Sequence, residues 1–219
     1  MGLWRRSLFV GYAQNGLRKN GTLVTAQFLP ITGDAILLDS LVATGDDASD
    51  NVEIQTLDAY GRTVDSYSWN DWAQATPCWV DGGYEKVEGV SFAPGQALFV
   101  MGSSATQGLQ SSGKVGDEDV VVTLRKNGTL AGNPFPVTVN LQDIVAEGNN
   151  VSDNVEIQIL DAYGRTVDSY SWNDWAQATP CWVDGGYDKV EGISFEPGQG
   201  LFVMGSEDGQ YLRFPAPEL

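Results

Sequence analysis

DNVEIQTLDAYGRTVDSYSWNDWAQATPCWVDGGYEKVEGVSFAPGQALFVMGS, the stretch Asp50–Ser103, returns almost unchanged at Asp153–Ser206. Five of its 54 positions differ: Thr56/Ile159, Glu85/Asp188, Val90/Ile193, Ala93/Glu196 and Ala97/Gly200. The offset is a constant 103 residues with no gap. One unit of normal domain size is therefore written twice, and the period is too long for a short-repeat solenoid.

Within the block, Val52-Glu53-Ile54-Gln55 alternates apolar and polar, the pattern of a half-buried strand. Asp58-Ala59-Tyr60-Gly61 is a tight-turn signal, and Arg62–Trp69 reads as the return strand of a hairpin. Asp161–Gly164 repeats the turn. Asn70–Gly83 is irregular, with Pro77 breaking any helix. Val87–Phe92 is a further strand, Ala93-Pro94-Gly95-Gln96 a type II turn, and Ala97–Met101 a closing strand whose apolar run predicts burial on both faces.

Outward from the block, Leu17–Leu23 recurs at Leu124–Leu130 with an offset of 107, so copy one carries four extra residues before Asp50. Asn20-Gly21 and Asn127-Gly128 favour type I′ turns, and Val120-Val121-Val122 ahead of the second suggests a hairpin. Ile36–Val42 and Val139–Val145 admit one helical turn or a strand. Ser103–Asp119 reads as the junction between copies. The expected fold is all-β: two tandem β-sandwich-like domains from an internal duplication, residues 1–109 and 110–219.

Composition narrows the chemistry. Twenty-nine acids against 12 bases give a net charge of −17, which disfavours nucleic acid and anionic membranes as partners. No apolar run approaches the ~18 residues of a membrane span, so no membrane insertion is expected. The absence of histidine excludes His-based general catalysis and His-anchored metals. Cys78 and Cys181 hold the same position in each copy and read as buried free thiols; a bond between copies is the alternative. Met1–Gly11 has too short an apolar stretch for a signal peptide and reads as a mature N-terminal segment.

The pattern D-x-(V/I)-x-I-Q-x-L-D-x-x-G-x-T…Y-x-W, then C-W-V-D, then F-x-P-G-Q-(A/G)-L-F-V resembles β-repeat modules of large secreted or surface proteins of bacteria. A P-G-Q-G-(F/W)-(W/F)-V strand closes those modules, matched here by Pro94–Val100 and Pro197–Val203. Copy one departs at Ala97, where the modules carry Gly. The resemblance covers about half of each unit and implies a structural or adhesive role, with no catalytic residues to carry over.

Three candidate sites remain. Trp69, Trp72, Trp79, Tyr67 and Tyr84 cluster in sequence, as do Trp172, Trp175, Trp182, Tyr170 and Tyr187. They form either a stacking platform for sugar rings, with Asn70, Asp71 and Asp81 binding hydroxyls, or a protein interface, or a core plug under the irregular loop. Asp46, Asp47 and Asp50 make an oxygen-rich loop that suits calcium, but copy two offers Asn149, Asn150 and Asp153, and a solvated turn is the simpler expectation. Carboxylate pairs such as Asp65 with Asp71 or Asp81 with Glu85 have no spacing that singles them out for acid–base chemistry, and no cofactor is expected.

The chain end raises one more expectation. Leu212 aligns with Leu109, so Leu212–Leu219 reads as a strand that ties one molecule to the next, with Leu212 and Phe214 received by Leu8, Phe9 and Val10; an edge strand or frayed tail is the alternative. The sequence thus points to a non-enzymatic extracellular or cell-surface structural protein, self-assembling head to tail into a filament. A tandem carbohydrate-binding protein, adhesin-like and engaging polysaccharide, is the principal alternative, and a phage or virion decoration protein a third.

Overall fold

A computed structural model describes residues 16–19, 21–26, 35–58, 61–113, 115–161 and 164–217. Copy one contributes β1 (Thr22–Thr25), β2 (Ile36–Leu37), β3 (Leu41–Thr44), β4 (Glu53–Leu57), β5 (Thr63–Asn70), β6 (Cys78–Val80), β7 (Ser91–Phe92), β8 (Ala97–Met101) and β9 (Gly108–Ser111). Copy two contributes β10 (Val120–Thr123), β11 (Thr129–Gly132), β12 (Val139–Asn140), β13 (Val145–Gly148), β14 (Glu156–Leu160), β15 (Thr166–Asn173), β16 (Cys181–Val183), β17 (Ser194–Phe195), β18 (Gly200–Met204) and β19 (Gln210–Phe214). The chain is all-β. Among the described residues its helical content is two single 3₁₀ turns, Leu38–Ser40 and Leu141–Asp143, where the sequence allowed one turn.

Each copy builds the same antiparallel five-stranded sheet, in the order β1-β8-β4-β5-β6 and β11-β18-β14-β15-β16. The predicted alternation holds on β4, where Ile54 is fully buried between half-exposed Glu53 and Gln55. Asp58 closes the hairpin turn: its carbonyl accepts from Gly61 N at 3.0 Å, and its carboxylate pairs with Arg62. A second sheet, β10-β19-β13 in copy two and β3-β9 in copy one, supplies the other wall of the core. Ile54, Val100 and Leu98 from the first sheet join Leu41, Ala43 and Leu109 from the second in one apolar cluster, and copy two has its own equivalent.

Several expectations are corrected. β19 is no free tail: it lies between β10 and β13, with Leu212 and Phe214 fully buried in the core of their own copy. Their apolar side chains complete that core, so Leu212 and Phe214 are not available to a neighbour. Leu8, Phe9 and Val10 lie outside the described residues. The 109/110 boundary would cut β9, which pairs with β3 and belongs to copy one. β10 and β11 are not a hairpin, because β10 pairs with β19 and β11 with β18. The Arg125–Gly128 turn instead carries the chain from one sheet to the other. The strand Ala97–Met101 is not buried on both faces: Leu98 and Val100 enter the core, while Phe99 and Met101 are half-exposed on the outer face. Cys78 and Cys181 are buried free thiols.

The two copies join through their P-G-Q turns. Gly95 takes φ +77° at the third position of the turn, where Gln96 N donates to Ala93 O at 3.1 Å, as type II geometry requires. Gly95 O then accepts from Gly132 N of β11 at 3.0 Å, and Gly198 O accepts from Thr25 N of β1 at 2.9 Å. Bridges Gln96–Ala131 and Val24–Gln199 flank these bonds. Exchanging the copies converts each contact into the other. The interface is therefore isologous, a twofold contact between non-identical halves of one chain, and such contacts close on themselves rather than propagate.

Candidate functional site

The aromatic cluster divides into two layers. Trp79, in the Cys78–Val80 strand, is 1% exposed, and its Nε1 donates to Leu41 O at 2.8 Å. Trp69 meets it edge-on, with ring centroids 5.3 Å apart. Trp172 and Trp182 repeat the pair, with Trp182 Nε1 donating to Ile144 O at 2.7 Å. These four are core, and the interaction role considered for Trp69, Trp79, Trp172 and Trp182 is corrected. The apolar neighbours Cys78 and Val80 are buried alongside, and the indole N–H needs only one carbonyl inside. Tyr67 and Tyr170 hold their hydroxyls above the usual tyrosine range, first through burial and then through Asp65 and Asp168 respectively.

Trp72 and Trp175 are different: they are 60% and 61% exposed, yet held in place. The local sequence explains how. Asp50 adopts φ +59°, a conformation Asp tolerates, and its N–H donates to Trp69 O at 2.7 Å. Asn70, buried at the end of β5, donates from Nδ2 to Asp50 Oδ1 at 2.9 Å. Its own Oδ1 accepts from the N–H of Trp72 at 3.1 Å and of Ala73 at 2.6 Å, which turns the chain outward. The remaining Asp50 oxygen, Oδ2, accepts from Trp72 Nε1 at 2.7 Å.

Tyr84 completes the surface. It sits at φ +61° in a turn organised by Asp81, whose Oδ1 accepts from Gly83 N at 2.8 Å and Glu85 N at 3.0 Å. Gln74 Nε2 donates to Tyr84 O at 3.2 Å, tying the turn to the Trp72 loop. The Trp72 and Tyr84 rings lie 5.1 Å apart at 48°. In copy two, Trp175 and Tyr187 lie 5.0 Å apart at 47°, with Trp175 Nε1 bound to Asp153 Oδ2 at 2.7 Å. Asp71 and Asp174, which precede the two tryptophans in the chain, are exposed.

The acidic loops serve this scaffold. Both carboxylate oxygens of Asp50 and of Asp153 are taken by Asn and Trp donors. Asn150 donates to Glu207 Oε1 at 2.9 Å, and the carbonyls of Asp46, Asp47, Asn149 and Asn150 accept from the buried amides of Gln107 and Gln210. Among the described residues no group of three or more acidic, Cys or His side chains converges as a metal-ligand set.

A second concavity went unread in the sequence. Strand register aligns Leu23, Phe99 and Gln55 in one row on the outer face of the first five-stranded sheet, and Leu130, Phe202 and Gln158 in one row on the other. The rows meet over the twofold contact and line a cleft of about 880 Å³. Only the apolar letters at Phe99 and Phe202, on the face turned away from the core, carried a signal of it. No family model, curated protein or solved structure matches the chain.

Proposed function

We propose that this chain is a non-catalytic, bivalent binding protein that engages a glycan chain through the Trp72–Tyr84 and Trp175–Tyr187 surfaces. The observation that carries the reading is an exposed indole whose N–H is anchored to a carboxylate, identical in both copies. An exposed Trp with no task would be free to rotate. Here the ring is pre-oriented, which lowers the ordering cost of binding. Its open face suits the C–H face of a sugar ring, and Asp71 or Asp174 offers acceptors for hydroxyls. Of the five substitutions between the copies, one falls on this surface, Glu85/Asp188, and it keeps a carboxylate, so the two sites have one specificity. A polymer with repeated sugars occupies both, and avidity follows.

A head-to-tail polymer of the chain, the other partner expected from the sequence, would have to use a surface other than β19. A glycan array probed with the wild-type chain and with the double variant Trp72→Ala/Trp175→Ala tests the proposal. Binding to at least one polysaccharide class that the folded double variant lacks supports it. No hit for the wild-type chain, or equal binding by both, overturns it.

A further inference from the structure

The cleft over the twofold contact has a chemistry unlike the aromatic surfaces. Its floor is apolar: Phe99 lies over Gly21 and Phe202 over Gly128, so close that a β-carbon on either glycine would fall 2.0 or 2.2 Å from the ring. Leu23 and Leu130 extend that floor across the axis. Around it stand polar groups that are paired with one another. The Asp58 and Asp161 carboxylates pair with Arg62 and Arg165. The Gln55 and Gln158 side-chain oxygens accept from Thr63 and Thr166, and their amides donate to Glu53 and Glu156.

Donors without partners line the same cleft. Gln96 and Gln199 accept backbone N–H bonds through Oε1, at 3.2 and 3.1 Å, which leaves each Nε2 without a partner among the described residues. Arg18 and Arg125 line the cleft from opposite copies. Among the described residues neither guanidinium has an acidic side chain within ion-pair distance, in a chain with 29 acids and 12 bases. Their internal hydrogen bonds among the described residues are made by the backbone: the N–H groups donate to Thr22 and Thr129, and the carbonyls accept from Gly21, Gly102 and Gly128.

From this juxtaposition we infer that the cleft binds one elongated ligand per chain, with an apolar body over Phe99 and Phe202 and a carboxylate at each end for Arg18 and Arg125. The volume is in the range of small-molecule pockets, and a guanidinium matches a carboxylate with two parallel donors. The twofold arrangement favours a ligand with like ends. This site is independent of the aromatic surfaces and has a different stoichiometry, one per chain against two.

Isothermal titration of the intact chain with a series of linear α,ω-dicarboxylates of increasing chain length tests it, with monocarboxylates of equal length for comparison. The titration is run at about 0.15 M salt, where screening limits repulsion from the net acidic surface. One diacid per chain is expected, with an optimum at one chain length and about tenfold weaker binding of the monoacid. Arg18→Gln and Arg125→Gln should each cost about tenfold, and Trp72→Ala/Trp175→Ala should cost nothing. Both arginines are exposed, and circular dichroism confirms folded variants. No heat from any diacid, two diacids per chain, or undiminished binding by the double arginine variant overturns the inference.

Discussion

Thr25 and Gly132 face each other at the contact between the copies: a β-carbon built on Gly132 would stand 2.0 Å from Thr25 Oγ1. The two positions are equivalents in the repeat, so the sequence has made them unequal where they meet. Two threonines would collide, and two glycines would leave a gap. The halves have diverged into complements, and the interface is specific for one copy of each kind.

Gly132→Ala is expected to destabilise the chain by about 2–3 kcal/mol, because the new methyl also meets Gln199 O at 2.5 Å and neither sheet edge can retreat freely. Thr25→Ala is expected to be neutral or stabilising, since the buried Thr25 hydroxyl has no hydrogen-bond partner among the described residues. Urea unfolding midpoints of both variants check this. A Gly132→Ala midpoint equal to wild type would contradict the close contact.

Trp79→Ala should cost about 3–5 kcal/mol, as a cavity opens in the core and Leu41 O loses its donor. Trp72→Ala should cost about 1–2 kcal/mol, because the exposed indole gives up one hydrogen bond to Asp50 rather than core packing. Thermal melts of the two variants side by side separate the layers, and equal losses would show that the division into core and surface tryptophans is wrong.

Asp50→Ala removes the acceptor of both Trp72 Nε1 and Asn70 Nδ2 and places Ala at φ +59°. A loss of about 2–4 kcal/mol is expected, with Asp50→Asn milder because Asn tolerates that backbone and keeps one oxygen. Tryptophan fluorescence anisotropy should fall in the Ala variant as Trp72 is released. Unchanged anisotropy would mean that the indole is held by something else.

How much of this was legible depends on how local the determinants are. The Asp58–Gly61 turn and the β4 alternation are written in adjacent residues, and both read correctly. The P-G-Q turn also read correctly, but its partner across the interface did not, because Gly95–Gly132 joins segments with no sequence relationship. The Leu212–Phe214 alternation marks β19 as a strand, but its place between β10 and β13 rests on long-range pairing, and the buried amides of Gln107 and Gln210 tie β9 and β19 to distant loops through backbone carbonyls. Trp72 and Trp79 looked alike as letters. Only the flanking Cys78 and Val80 hinted that Trp79 points inward. The cleft depends on register between strands far apart in the chain, which alternation alone does not encode.

The end of β19 supplies a pH test. Asp119 accepts from Ala216 N at 2.8 Å and pairs with Arg213 at 3.0 Å, and these, in that order, hold its carboxyl below the usual aspartate range. A depressed carboxyl stabilises the fold above the ordinary aspartate value, and the contribution is lost as pH falls through the depressed one. Asp119→Asn should therefore melt lower than wild type near about pH 7, and the two curves should converge by about pH 2. A constant gap across that range would show that the charge is not responsible.

The most direct test of bivalent recognition is surface binding to an immobilised polysaccharide, identified by the array, using wild type, Trp72→Ala, Trp175→Ala and the double variant. The account predicts that the two single variants behave alike and lose about a hundredfold in apparent affinity, as avidity collapses to one site, while the double variant does not bind. A single variant that binds as tightly as wild type, or a folded double variant that still binds, would contradict it.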